Sequence, residues 1–331
     1  MRHFAYFILV FFGFLSCSSP APDASINTSV PPVVIPHDNL TTPQKVLLGR
    51  HLFYDPILSV DSTISCASCH IQRYAFADTT RVSIGFNHQK GFRNSTTLTN
   101  VGYATQFFKE GGVKTLERAV HPPILTDVEM NSNAAIIENR LNKNPQYQNL
   151  FQDAFSTQPS YKGAVYALAA FQRTLFSFNT PYDAYMRGDS TALSEAAKRG
   201  LTLFKSARLN CVNCHAEPFF WDDNFHNIGL YQVYKDYGRG RFTLDSADYG
   251  KMKTPTLRNI AVTWPYMHDG SIQTLEEVIN FYQTGGKNHP NKSTEIVSFT
   301  LTAQERLDLI SFLKALTDSS FLTNEALSSP F

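Results

Sequence analysis

Cys66-Ala67-Ser68-Cys69-His70 and Cys211-Val212-Asn213-Cys214-His215 are two copies of one pentapeptide, Cys-x-x-Cys-His, one in each half of the chain. The pattern reads as covalent c-type haem attachment: two thiols add across the porphyrin vinyl groups, and the adjacent histidine is held beneath the iron. A single copy could equally be a zinc-binding turn or a redox dithiol. Two copies in an exported chain favour two haems. Four of the 5 cysteines are consumed in this way, so no disulfide framework is left.

The fifth cysteine points to the compartment. Met1-Arg2-His3 precedes an almost unbroken apolar run from Phe4 to Leu15, the layout of a secretory leader and too short to span a membrane. The run ends Phe14-Leu15-Ser16-Cys17, similar to a bacterial lipobox, in which Cys17 would carry the lipid. The alternative is ordinary cleavage nearby. Residues 18–35 are rich in Ser, Pro, Ala and Asn and read as a tether. The expected location is therefore the periplasm, with the membrane engaged only through a lipid anchor at Cys17.

The remaining length suits two domains, expected at 36–185 and 186–331. A net charge of +1, from 29 Lys and Arg against 28 Asp and Glu, argues against a nucleic-acid partner. The 26 Phe and 15 Tyr suit apolar pockets that enclose porphyrins. Helical spacing is clearest over 134–141, 161–178, 193–204, 275–282 and 302–316. Strand signals are weak, and long loops follow each haem motif. The fold class expected is mainly α, with two cytochrome c-like domains that each wrap one covalently bound haem.

Around the two pentapeptides lie further motifs: Leu48-Gly49-Arg50-His51-Leu52-Phe53-Tyr54-Asp55; Gln89-Lys90-Gly91-Phe92-Arg93-Asn94; Pro122-Pro123-Ile124 through Glu129-Met130; Ala170-Phe171-Gln172-Arg173-Thr174-Leu175; Gly200 to Phe204; Thr254-Pro255-Thr256-Leu257-Arg258-Asn259; and Pro265-Tyr266-Met267-His268-Asp269-Gly270-Ser271. In this order they resemble the bacterial di-haem cytochrome c peroxidase family, which includes the MauG-type enzymes. The likeness runs from about Ile35 to Leu316.

The resemblance implies that peroxide reacts at the N-terminal haem and that the C-terminal haem relays electrons. His70 and His215 are then the proximal ligands, and Glu129 is the distal acid–base group. A calcium ion is implied between the domains, at Asn94 and the carbonyls of Thr263 and Pro265. Family members commonly form homodimers. The family's mobile distal histidine falls on Phe86 here, with His88 two residues on, which favours an iron open without reductive activation. For the sixth ligand of the second haem, Met252, Met267, His268 and Tyr282 are candidates. Tyr282, fourteen residues after His268, matches the MauG branch, and Met267 is its rival. One departure stands out: Lys109 occupies the place of the family's inter-haem tryptophan.

The activity implied is reduction of hydrogen peroxide with electrons from a small periplasmic cytochrome c or cupredoxin. The alternative is a MauG-like enzyme that uses peroxide equivalents to oxidise a protein or organic molecule at long range. A di-haem carrier or sensor without turnover is a third reading, in which exchanging Glu129 would change nothing.

Overall fold

The computed structural model of the chain describes residues 30–331; the leader, Cys17 and most of the tether lie outside the described residues. No helix among the described residues is long and apolar enough to cross a membrane. The elements are α1 (Pro43–Tyr54), α2 (Leu116–Leu125), α3 (Ala134–Asn142), α4 (Pro145–Phe155), α5 (Tyr161–Gln172), α6 (Pro181–Met186), α7 (Glu195–Phe204), α8 (Gly240–Thr243), α9 (Leu275–Gln283), α10 (Ala303–Lys314) and α11 (Ser319–Thr323). The one ladder among them is a two-residue pair, β1 (Phe225–His226) against β2 (Met252–Lys253), antiparallel. The fold is mainly helical, as expected.

Local chemistry starts most of these helices. Thr42, Thr115, Asn133, Ser160, Ser194, Thr274 and Thr302 each accept a hydrogen bond from a backbone N–H of the first turn. Helix α5 ends at Gln172, six residues short of the expected Phe178. The physical reason is competition for the backbone: Asn100 N donates to the Leu175 carbonyl at 2.8 Å, and Ser177 N donates to Asn100 Oδ1 at 2.8 Å. Helices α1, α2 and α4 were not foreseen from periodicity. In α2 the Pro122-Pro123 pair masks the pattern, although the apolar face of Leu116, Val120 and Ile124 is buried.

Two hydrophobic clusters result. The first gathers α1, α4 and α5 around Phe53, Phe76, Phe151 and Phe171; the second gathers α7, α9 and α10 around Phe204, Phe220 and Phe312. Their ends are exchanged. Phe321 and Leu327, which follow α10, belong to the first cluster, and Tyr182, which follows α5, belongs to the second. Each half thus seals the other's apolar core.

The halves are also built alike. Gly49 of α1 lies so close to α5 that a Cβ would strike the Ala167 carbonyl, and Gly200 of α7 stands in the same relation to Asp308 of α10. Phe53 meets Phe171 at 5.2 Å, and Phe204 meets Phe312 at 5.1 Å. Asn100 (φ 56°) and Asn259 (φ 62°) open equivalent short helices, and Asn259 N donates to the Leu316 carbonyl as Asn100 does to Leu175. Phe107 bridges to Val113 just before α2, and Tyr266 bridges to Ile272 just before α9. In this register Lys109 corresponds to His268.

Candidate haem and peroxide sites

In each pentapeptide the backbone makes one tight turn, and the histidine N–H donates to the carbonyl of the first cysteine at 2.9 Å, for both His70 and His215. The turn places the two thiols and the imidazole together. His70 Nδ1 lies 2.9 Å from the Phe76 carbonyl, and His215 Nδ1 lies 3.0 Å from the Phe220 carbonyl. A carbonyl can only accept, so each Nδ1 carries the proton and each Nε2 presents its lone pair. This arrangement orients and strengthens a metal-bound imidazole. Burial lowers the pKa of both rings, although the carbonyl contacts and the nearby Asp78 or Asp222 oppose it. Both rings stay neutral and ready to ligate.

All four thiols are unpaired. Burial first, with the partner thiol or neighbouring carboxylates adding to it, pushes Cys66 and Cys211 up to about 12 and Cys69 and Cys214 up to about 11. An uncharged sulfur in such surroundings is compatible with a neutral thioether. Cys214, Asp222 and His226 also offer ligand atoms within 4.8 Å of one another, and Asp222 and His226 pair at 2.7 Å.

Glu129 follows α2 in a turn where its N–H donates to the Thr126 carbonyl at 3.1 Å. Its carboxylate raises the pKa of both Cys66 and Cys69, so it lies within electrostatic reach of the first pentapeptide. The side chain is open to solvent, yet burial lifts its own pKa. Phe86 is stitched to the same place, its N–H donating to the Glu129 carbonyl at 2.6 Å. His88 is exposed, at φ 56° on the tip of that loop.

Tyr282 lies on α9. Its pKa is raised by burial and then by Cys214, Cys211 and Tyr234, so the phenol lies within electrostatic reach of the second pentapeptide. Its hydroxyl makes no hydrogen bond among the described residues. Met267 occupies a left-handed turn at φ 72°, between Tyr266 and His268, and the Met252 methyl packs toward Gly238. Asn94 is buried; its N–H donates to the His268 carbonyl at 2.9 Å and its amide nitrogen to the Thr80 carbonyl at 3.0 Å. Oδ1 makes no hydrogen bond among the described residues, and the backbone contact joins Asn94 to the turn that follows Thr263 and Pro265.

Between the halves, burial and the Arg93 charge push Lys109 down to about 8, against the pull of Glu110, Asp269 and Asp236. Arg93 itself pairs with Glu110 and, at 2.7 Å, with Asp236. Trp264 packs edge-on against Tyr74, four residues past His70, at 6.3 Å.

Periodicity and motif spacing did not reveal the residues that hold the histidines' carbonyl partners. Phe76 and Phe220 both have φ 57°. Thr97 Oγ1 donates to the Ala75 carbonyl at 2.5 Å, and Thr256 Oγ1 donates to the Phe219 carbonyl at 2.7 Å. The signal was present as an internal repeat, Thr97-Leu98-Thr99-Asn100 against Thr256-Leu257-Arg258-Asn259.

The chain is similar to known proteins over most of its length. A model of the family described as di-haem cytochrome c peroxidase matches residues 43–191. The methylamine utilization protein MauG of Methylorubrum extorquens is 38% identical, over 86% of this chain and 82% of its own. A cytochrome-c peroxidase of Pseudomonas sp. (strain SCT) is 35% identical, over 89% of this chain and 86% of its own. The crystal structure of a MauG-like protein associated with microbial copper homeostasis superposes with a TM-score of 0.90 at 36% identity, covering 94% of this chain and 99% of that one. Two haem-attachment turns with oriented imidazoles, together with these likenesses over most of the chain, show that it belongs to the di-haem cytochrome c peroxidase family, an oxidoreductase family whose members carry two haem c groups in cytochrome c-like domains.

Proposed function

We propose that this chain reduces hydrogen peroxide to water at the first haem site, with electrons from a small periplasmic cytochrome c or cupredoxin. Cys66, Cys69 and His70 would hold one haem, and Cys211, Cys214 and His215 the other. When bound, the haems supply the electrons and the open iron position that O–O cleavage needs. Glu129 takes the proton from the inner peroxide oxygen and returns it to the outer one, so that water leaves. A carboxyl whose pKa is lifted toward neutrality suits both halves of that transfer. Phe86, fixed beside Glu129, offers no ligand atom and leaves the distal side to peroxide.

At the second site Tyr282 supplies the sixth ligand in preference to Met267. Asn94 Oδ1 and the carbonyls of Thr263 and Pro265 form an all-oxygen set suited to calcium. With Lys109 in the tryptophan position, the Tyr74–Trp264 and Tyr103–Phe219 contacts are among the aromatic bridges between the halves. The location proposed is the periplasm, with Cys17 as the lipidated anchor.

The observation that supports this reading is Glu129 within electrostatic reach of Cys66 and Cys69, with its pKa raised by burial. The test is steady-state oxidation of a reduced carrier cytochrome by the holo-protein. Peroxide-dependent turnover that collapses in Glu129→Gln is expected, and no turnover with any reduced carrier would end the proposal. Tyr282 favours a second reading, a MauG-like enzyme acting on a protein or organic substrate, and the family's relatives divide between the two. An EPR spectrum of the ferric protein separates them. One high-spin signal beside a low-spin signal of His–Tyr character, with peroxide reactivity before any reduction, supports the MauG-like reading.

A further inference from the structure

The two histidines are anchored by equivalent carbonyls, but the turns that carry those carbonyls are held differently. In the first half the Ala75 carbonyl accepts from Thr97 and, at 3.5 Å, from Thr99. In the second half Arg258 stands where Thr99 would be. Its Nε donates to the Pro218 carbonyl at 2.8 Å, two residues before Phe220. The other guanidinium nitrogens form a fork on Asp183 of α6 at 2.9 Å each, and one also donates to the Ser177 carbonyl at 3.1 Å. The guanidinium lies over the rings of Phe178 at 4.7 Å and Phe220 at 5.6 Å. Arg258 and Asp183 are each 1% exposed or less.

Phe220 is held at φ 57°, a conformation unfavourable for a bulky residue by about 1 kcal/mol or more and kept only where its surroundings fix it. Its own ring packs in the second cluster, and its carbonyl faces His215. The segment from Ser177 to Asp183 joins the two halves of the chain. The second histidine is thus braced against that junction, whereas the first is braced by a local threonine pair.

We propose that Arg258 is a positioning residue for His215: clamped by Asp183, it fixes the Pro218–Phe220 turn so that the Phe220 carbonyl orients the imidazole and sets its donor strength toward the second haem. This rests on the reading of His215 as a haem ligand. Lysine keeps the charge but cannot serve Pro218, Ser177 and the Asp183 fork together. Weakening the Nδ1–H contact makes the imidazole a poorer donor and disfavours ferric iron.

The test is Arg258→Lys in the exported holo-protein, read by potentiometric titration and by EPR of each haem separately. The second haem should shift about tenfold toward ferrous iron, ~59 mV for a one-electron couple, with altered low-spin g-values. The first haem should not move. Unchanged g-values at the second haem, or an equal shift at both haems, would overturn the proposal. If Arg258→Lys does not retain the second haem, Asp183→Asn is read instead. Altered second-haem g-values beside an unchanged first haem support the clamp, and unchanged ones overturn it. Wild-type protein lacking a second haem would instead defeat the reading of His215 as a haem ligand.

Discussion

The two halves are built on one scaffold. Each crosses a glycine-bearing helix with a partner, α1 on α5 and α7 on α10, and each hangs a Cys-x-x-Cys-His turn beside the crossing. Each also aims a left-handed phenylalanine's carbonyl at the histidine. The differences lie in what closes over the exposed side of the pentapeptide. After α2 the chain leaves through Pro122-Pro123 and brings Glu129 and Phe86 toward the first site. Helix α9 instead runs on to Tyr282, beside the second. In the proposed reading a common frame holds each haem, and one short segment on each side separates reaction from relay.

Glu129→Gln should break that division most severely. Peroxide-dependent turnover should fall about 10²- to 10⁴-fold, the range typical of a positioned acid–base group, with both haems retained by absorbance. The pH profile carries the sign. Burial raises the Glu129 pKa, and the carboxylate form takes the first proton. In the wild type kcat/KM for peroxide should therefore decline as pH falls through a value above the ordinary glutamate range, and the variant should lack that acid limb.

The shared scaffold is tested by Gly49→Ala and Gly200→Ala. Each places a methyl group against a partner-helix carbonyl, so each should cost ~1–3 kcal/mol by overpacking, measured by chemical denaturation of the holo-protein. Similar losses support equivalent crossings; a large loss in one half alone breaks the parallel.

A smaller effect sharpens the contrast in ligation. Tyr282→Phe removes an oxygen ligand that favours ferric iron, so the second haem should shift about tenfold toward ferrous iron, ~59 mV. Met267→Leu should leave its potential and EPR signal alone, and the reverse pattern would transfer the ligand role to Met267. The smallest change is at the helix caps. Thr115 caps α2 through Arg118 N at 3.2 Å, and Thr274 caps α9 through Glu277 N at 3.2 Å. Alanine at either should cost ~1 kcal/mol in thermal unfolding, without moving either haem's spectrum.

Much of the site was legible because it is local. A Cys-x-x-Cys-His turn needs five consecutive residues, so the pentapeptides announce the cofactor, its attachment and its proximal histidines without reference to the rest of the chain. Helices α3, α7, α9 and α10 were visible for a similar reason, since caps and apolar spacing act within a few residues. The end of α5 was not, because Asn100, some seventy residues away, takes the backbone groups on which a longer helix would depend. The swapped ends of the two cores were equally hidden. Nothing in the sequence around Phe321 says that it packs on Phe76, at 5.5 Å, in the opposite half.

By itself, then, the sequence determined two haem-attachment turns, a mainly helical class and the family, all written in short contiguous stretches or in their order. Only the tertiary structure decided which carbonyls hold His70 and His215 and that Glu129 and Tyr282 come within electrostatic reach of the first and second pairs of thiols. It also decided that Arg258 braces one turn where Thr99 helps brace the other. The physical reason is that hydrogen bonds and charge interactions act over a few ångströms of space, and these partners are separated by tens of residues of chain.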